Sequence, residues 1–299
     1  MKNRNCIIFL LLFISQTVFG QAWVSGKSYF DNEKWTEFIP GDMPLVISVP
    51  HGGDILLPEV PLRACEGAVT VTDSRTVELA REIQDAFQRK YKMRPYIVIC
   101  HLSRKAVDQN REIASGTCGN EMMKKPWQQF HDYIDTALSL AVRKFGLSVY
   151  IDLHGHGHPI QRLELGYGIN GNELPRLSGG GDTKDLAEKS SLNNLLSLNS
   201  SANFEDLMIG DYSFGTLITD KGSPAIPGKQ MKELNEGEKY FNGGYNTRRY
   251  TSKDYPRVFG WQIESNYKGV RDPSGRPAFA AAFAEAFMIF LRKNTSVAL

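Results

Sequence analysis

Several absences narrow the reading of this chain before any motif is considered. No serine has a glycine two residues away on both sides, so the G-x-S-x-G elbow of serine α/β-hydrolases is missing. His131 precedes Asp135 by four residues but opens no H-E-x-x-H pattern, and it reads as a core-edge histidine rather than a ligand. Beyond residue 20 no apolar run approaches the ~18 residues of a membrane-spanning helix. Net charge is also small. The formal value is +2, and setting aside Lys2 and Arg4 leaves zero, so electrostatics gives no ground for a nucleic-acid or membrane-surface partner. Of the four cysteines, Cys6 lies in the N-terminal segment, and Cys65, Cys100 and Cys118 remain. In an oxidising compartment one pair can bridge, and Cys65 with Cys118, both in loop-like surroundings, is the expected one.

What is present begins with "MKNRNCIIFLLLFISQTVFG", a basic start followed by a short apolar run and small polar residues. The pattern predicts a secretory signal peptide over residues 1–20, and hence an exported or periplasmic mature form over 21–299 with no membrane segment. Residues 21–299 suit a single catalytic domain, since no stretch reads as a linker or a repeat. Strand-like runs recur at "PLVISVP" (44–50), "PYIVIC" (95–100), "SVYIDL" (148–153) and "FGWQIES" (259–265). Helical periodicity marks residues 74–91 and 126–145, the latter with Pro126 in its first turn, and an almost wholly apolar stretch at 276–293. The alternation predicts an α/β fold with a mainly parallel or mixed central sheet and helices on both faces. Residues 176–204, rich in Gly, Ser and Asn, read as a long irregular insertion. Two sequons, at Asn199 and Asn294, bear on glycosylation only in a eukaryotic source.

In such folds ligands bind beyond the carboxyl ends of the strands. Here His51 follows the first strand, Arg104 and "VDQNR" the second, and His154 the third, while Glu264 stands near the end of the fourth. "GYGING" (166–171) has the spacing of a dinucleotide fingerprint but is followed by Pro175 and a glycine run instead of a helix. Histidines fixed by rigid strands suit a zinc site, with flanking glycines allowing metal or substrate to come close. His51 and His154 are the expected ligands, and Asp152, on the same strand face as His154, orients an imidazole from behind. His156 and His158 line the mouth of the site. The third ligand is either Asp54, three residues after His51, or Asp73, which also stands where a helix N-cap belongs.

"SVPHGG", "SRKAVDQNR" (103–111), "DLHGHG" and "WQIESN" resemble, in order, the signature blocks of N-formylglutamate amidohydrolases, relatives of zinc carboxypeptidases and aspartoacylases. The resemblance implies a phosphorylase/hydrolase-like α/β fold, one zinc ion on His51 and His154, and a preference for Asp73 over Asp54 as the acidic ligand. Glu264 is then the general base, Arg104 a catalytic donor to the oxyanion, and Arg111 with Asn110 the substrate-binding pair. Asp108 is expected to orient one of the arginines.

The expected activity is zinc-dependent hydrolysis of an amide bond in an N-acyl amino acid, such as N-formylglutamate, or in a short peptide with a free carboxylate. The alternatives are a secreted carboxylate-binding protein without turnover and a serine esterase, the latter indifferent to chelators.

Overall fold

The computed structural model describes residues 22–298. The expected signal peptide and Cys6 lie outside the described residues. An eight-stranded sheet carries the strands in the order β1-β2-β4-β3-β5-β8-β6-β7. These are β1 (Tyr29–Phe30), β2 (Thr36–Ile39), β3 (Leu45–Val49), β4 (Tyr96–Cys100), β5 (Ser148–Gly155), β6 (Leu163–Gly166), β7 (Ala225–Ile226) and β8 (Val258–Ser265). The four central strands β4, β3, β5 and β8 are parallel. Antiparallel pairings join β1 to β2, β2 to β4 and β8 to β6. Buried on both faces, the central strands are continuous apolar runs, which is why they are recognisable in sequence.

Each face has its own core. Ile47, Ile99, Ile151 and Trp261 pack with α1 (Thr76–Tyr91) and α9 (Arg276–Asn294). On the opposite face Val46, Val98 and Tyr150 pack with Trp127, Phe130 and Ile134 of α3 (Glu121–Phe145). The mixed α/β architecture with helices on both faces is therefore as expected.

Three details differ from the sequence reading. Helix α3 starts five residues early, because the Asn120 side chain accepts the Met122 N–H as an N-cap, so Pro126 lies in its second turn. Strand β5 runs through Gly155, so His154 sits on the strand and not beyond it. Residues 176–204 are not an irregular insertion. They contain the end of a 3₁₀ helix (Gly171–Ser178) and the short helices α4 (Lys184–Lys189) and α5 (Asn193–Leu198), and they lead into α6 (Phe204–Ile209) and α7 (Phe214–Asp220). Leu177, Leu186, Leu192 and Leu195 are buried in the α1/α9 core. Helices of six residues are too short to show a 3.6-residue period, and the surrounding Gly, Ser and Asn masked the leucines.

A disulfide joins Cys65 to Cys118, while Cys100 is a buried free thiol. The bridge ties the loop between β3 and α1 to the segment just after α2 (Ile113–Thr117), and the loops on either side of it supply site residues.

Candidate metal centre

The chain leaves β3 through Pro50 into His51, whose carbonyl accepts the Asp73 N–H at 3.0 Å. That bond brings the segment before α1 beside the end of β3. Asp73 does not cap the helix with its side chain. Arg75 is the capping residue, with φ 67° and no side-chain cap bond. The Asp73 carboxylate instead turns inward, where Oδ2 lies 3.0 Å from His154 Nδ1 and 3.5 Å from His51 Nδ1 and accepts the Gly155 N–H at 3.2 Å.

Both imidazoles are anchored from behind. His51 Nε2 lies 2.6 Å from Asp108 Oδ1, and His154 Nε2 lies 2.8 Å from Asp152 Oδ2. An Nε2–H donated to a carboxylate leaves Nδ1 of each ring facing the same point. Asp152 is itself fixed, accepting from Ser48 Oγ at 2.6 Å and Asn246 Nδ2 at 3.3 Å. His51 Nδ1 is buried and has no hydrogen-bond partner. One donor atom each from His51, Asp73 and His154 lies within 4.8 Å of the others. A buried, partnerless ring nitrogen aimed at a second ring nitrogen and a carboxylate oxygen is a donor set that can hold a metal ion. Asp54 is exposed and outside this cluster.

The electrostatics agree with a site built for a cation. Burial works against a charged Asp73, but the hydrogen bond and charge of His154, with the nearby His51 ring, outweigh it and hold the carboxyl well below its usual range. Asp108 is held down in the same way by His51 and Arg104. Burial alone would lower His154, yet Asp152 and Asp73 raise it well above an ordinary histidine. Asp73 thereby favours a proton on the same Nδ1 that would face an ion.

Glu264, on β8 directly across from His154 on β5, is 7% exposed, and Gln262 Nε2 donates to it at 2.8 Å. Burial pushes its carboxyl up to about 8; His154 opposes this, and the charges of Asp73, Glu164 and Asp152 add to it. Arg271 does not pair with Glu264: its guanidinium donates to the carbonyls of Ser265, Ser74 and His156, pinning the loops around the centre.

A cleft of about 550 Å³ opens over the centre and is lined also by Arg104, Arg111 and Arg248. Arg104 Nε donates to Asp108 Oδ2 at 2.9 Å, so Asp108 serves both an arginine and His51; the sequence pointed only to the arginine. Arg111 is exposed. Asn110 is largely spent on the fold, with Oδ1 accepting the Asn246 N–H at 2.8 Å and Nδ2 lying 3.2 Å from His154 Nε2. Arg248 and Asn246 escaped the sequence reading because they lie on α8 (Tyr245–Tyr250), a helix of six residues with no legible period. Gly53 and Gly155 serve packing, whereas Gly157 lines the cleft with open space where a Cβ would stand. A Cβ at Gly53 would collide with the backbone of His101, and one at Gly155 with the Arg271 guanidinium.

No family model matches the chain, and no curated protein does. Solved structures do. The chain is similar to an N-formylglutamate amidohydrolase. That protein, from Ralstonia eutropha JMP134, superposes with a TM-score of 0.48 at 12% identity, covering 87% of this chain and 96% of its own. Gene product Atu2144 from Agrobacterium tumefaciens superposes with a TM-score of 0.48 at 13% identity, covering 85% and 92%. What the site does has to be read from its own side chains.

Proposed function

We propose that this protein is an exported zinc-dependent amidohydrolase acting on an N-acyl amino acid or short peptide with a free carboxylate. The observation that carries the reading is the convergence of His51, Asp73 and His154 beside a buried Glu264. An ion held there supplies a Lewis acid for the scissile carbonyl and acidifies a water molecule.

The chain's own groups do the rest. Glu264 takes the proton of the attacking water, a task suited to a carboxylate made more basic by burial. Arg104, steadied through Nε by Asp108, offers its remaining N–H groups to the oxygen that gains charge as the carbonyl is attacked. Arg111 and Arg248 line the same cleft and suit a bidentate grip on a substrate carboxylate. Asp108 and Asp152 hold the imidazoles in the tautomer that presents Nδ1. The Cys65–Cys118 bridge supports an oxidising compartment, in keeping with the segment over residues 1–20.

The test is Glu264→Gln. The account expects zinc content equal to wild type and hydrolysis of N-acyl amino acids lowered by about 10²-fold or more. A variant as active as wild type removes Glu264 from the mechanism.

A further inference from the structure

His158 is spare in the mechanism above, yet its ring is held in the cleft by a buried carboxylate and a stacked aromatic ring. Its Nδ1 lies 2.8 Å from Glu164 Oε1. Glu164 is 1% exposed, and its other oxygen accepts the Phe241 N–H at 2.8 Å, so the carboxylate is fixed at both ends. The Phe241 ring stacks on the imidazole, with centroids 4.7 Å apart and planes 9° from parallel. One loop thus fixes the carboxylate that holds the ring and also the plane of the ring. Among the described residues nothing bonds His158 Nε2, and the side chain, 17% accessible, lines the cleft. Glu164 on β6 and Glu264 on β8 are direct cross-strand partners, so the imidazole is anchored beside the proposed base.

The same neighbourhood does not read as a second metal centre, although His156, His158 and Glu164 come close enough to suggest one. His156 Nε2 donates to the Arg162 carbonyl at 2.8 Å, and its Nδ1 accepts the His158 N–H at 3.1 Å. Neither nitrogen has a lone pair left for an ion.

We propose that His158, backed by Glu164, is a second proton-transfer residue of this site and protonates the departing nitrogen of the substrate; this rests on the amidohydrolase reading. Attack by water, whose proton goes to Glu264, gives a tetrahedral adduct of the substrate. As its C–N bond breaks, the electron pair goes to nitrogen, which takes the proton from Nε2 of the His158 imidazolium. Glu264 then returns its proton through solvent to the imidazole. One water is consumed, an acid and an amine leave, and both side chains are restored. Anchoring Nδ1–H on a carboxylate is what keeps Nε2 as the exchanging atom.

The experiment compares zinc-loaded wild type, His158→Gln and Glu164→Gln on a panel of N-acyl amino acids and on matched activated phenyl esters, whose leaving group needs no proton. The proposal expects kcat on amides to fall about 10²-fold or more in His158→Gln, with the ester rate changed less than about threefold, and an intermediate loss in Glu164→Gln. Imidazole nitrogen NMR of the same zinc-loaded protein should show His158 with its proton on Nδ1 when neutral. Equal losses on amide and ester, a rise in KM alone, or a neutral ring protonated on Nε2 would overturn the proposal while leaving the amidohydrolase intact. A zinc-loaded wild type that turns over nothing on the panel overturns both.

Discussion

Asp108 Oδ1 lies 2.6 Å from His51 Nε2, and a carboxylate taking that ring proton leaves the buried Nδ1 facing Asp73 and His154 instead of solvent. The other oxygen of the same carboxylate accepts from Arg104, so the candidate metal cluster and an arginine of the cleft share one buried anion. Replacing Asp108 by Asn removes the charge while keeping most of the shape. Zinc affinity is expected to drop about 10–100-fold, measured by competition with a chromophoric chelator. Unchanged affinity would show that the His51 ring is held by packing alone.

The choice of acidic ligand is tested by a pair of variants. Asp73→Ala is expected to abolish stoichiometric zinc binding, because Asp73 Oδ2 faces both imidazoles. Asp54→Ala, at an exposed position, is expected to bind as wild type does. The reverse result would move the site.

Metal uptake should release a proton. In the metal-free protein Asp152 and Asp73 raise His154 well above the ordinary histidine range, against the effect of burial, and so favour a proton on its ring. An ion must displace it, so zinc affinity is expected to weaken as pH falls. Titration calorimetry in buffers of different ionisation enthalpy measures the protons released, and a buffer-independent heat would contradict the assignment.

The buried base should cost stability in the metal-free protein. Glu264 rises from an ordinary 4.5 to about 8 on folding, chiefly through burial. Below the lower value both states hold the proton. As pH climbs from there toward 8 the unfolded chain releases its proton first, so stability is lost over that window. Glu264→Gln has no proton to lose. Metal-free, it is expected to be more stable than wild type by up to about 3 kcal/mol at pH 7, with the advantage gone near pH 4. Urea titration at both pH values reads this directly, and an equal gain at both would contradict it.

The disulfide and the free thiol give a simple chemical readout. Burial pushes the Cys100 thiol up to about 12, so it should resist alkylation in the folded protein and react only after unfolding. The bridge closes a loop of 53 residues, for which chain entropy alone gives about 4 kcal/mol. Reduction is expected to lower the melting temperature substantially, and mass analysis with and without reductant should release Cys65 and Cys118 together.

Much of this was legible in the sequence because it lay in single runs. β3, β4, β5 and β8 are buried on both faces, and the continuous apolar stretches that result announce both the sheet and the strand ends where His51, His154 and Glu264 stand. What could not be read is contact between runs. The attachment of Asp108 to His51 crosses 57 residues, and nothing in spacing distinguishes it from the local bond to Arg104 four residues away. The edge strands β1 and β7 are two residues long and carry no period at all. Asp73 was ambiguous for a different reason, because a carboxylate one turn before a helix caps it as readily as it binds metal. Only the side-chain direction separates the two.

The central claim is that His51, Asp73 and His154 hold an ion. Elemental mass spectrometry of the purified mature protein, wild type beside His154→Ala, tests it most directly. The account predicts near-stoichiometric zinc in wild type and its loss in the variant. A wild type that stays empty after reconstitution with zinc, or a variant that keeps its metal, would contradict it.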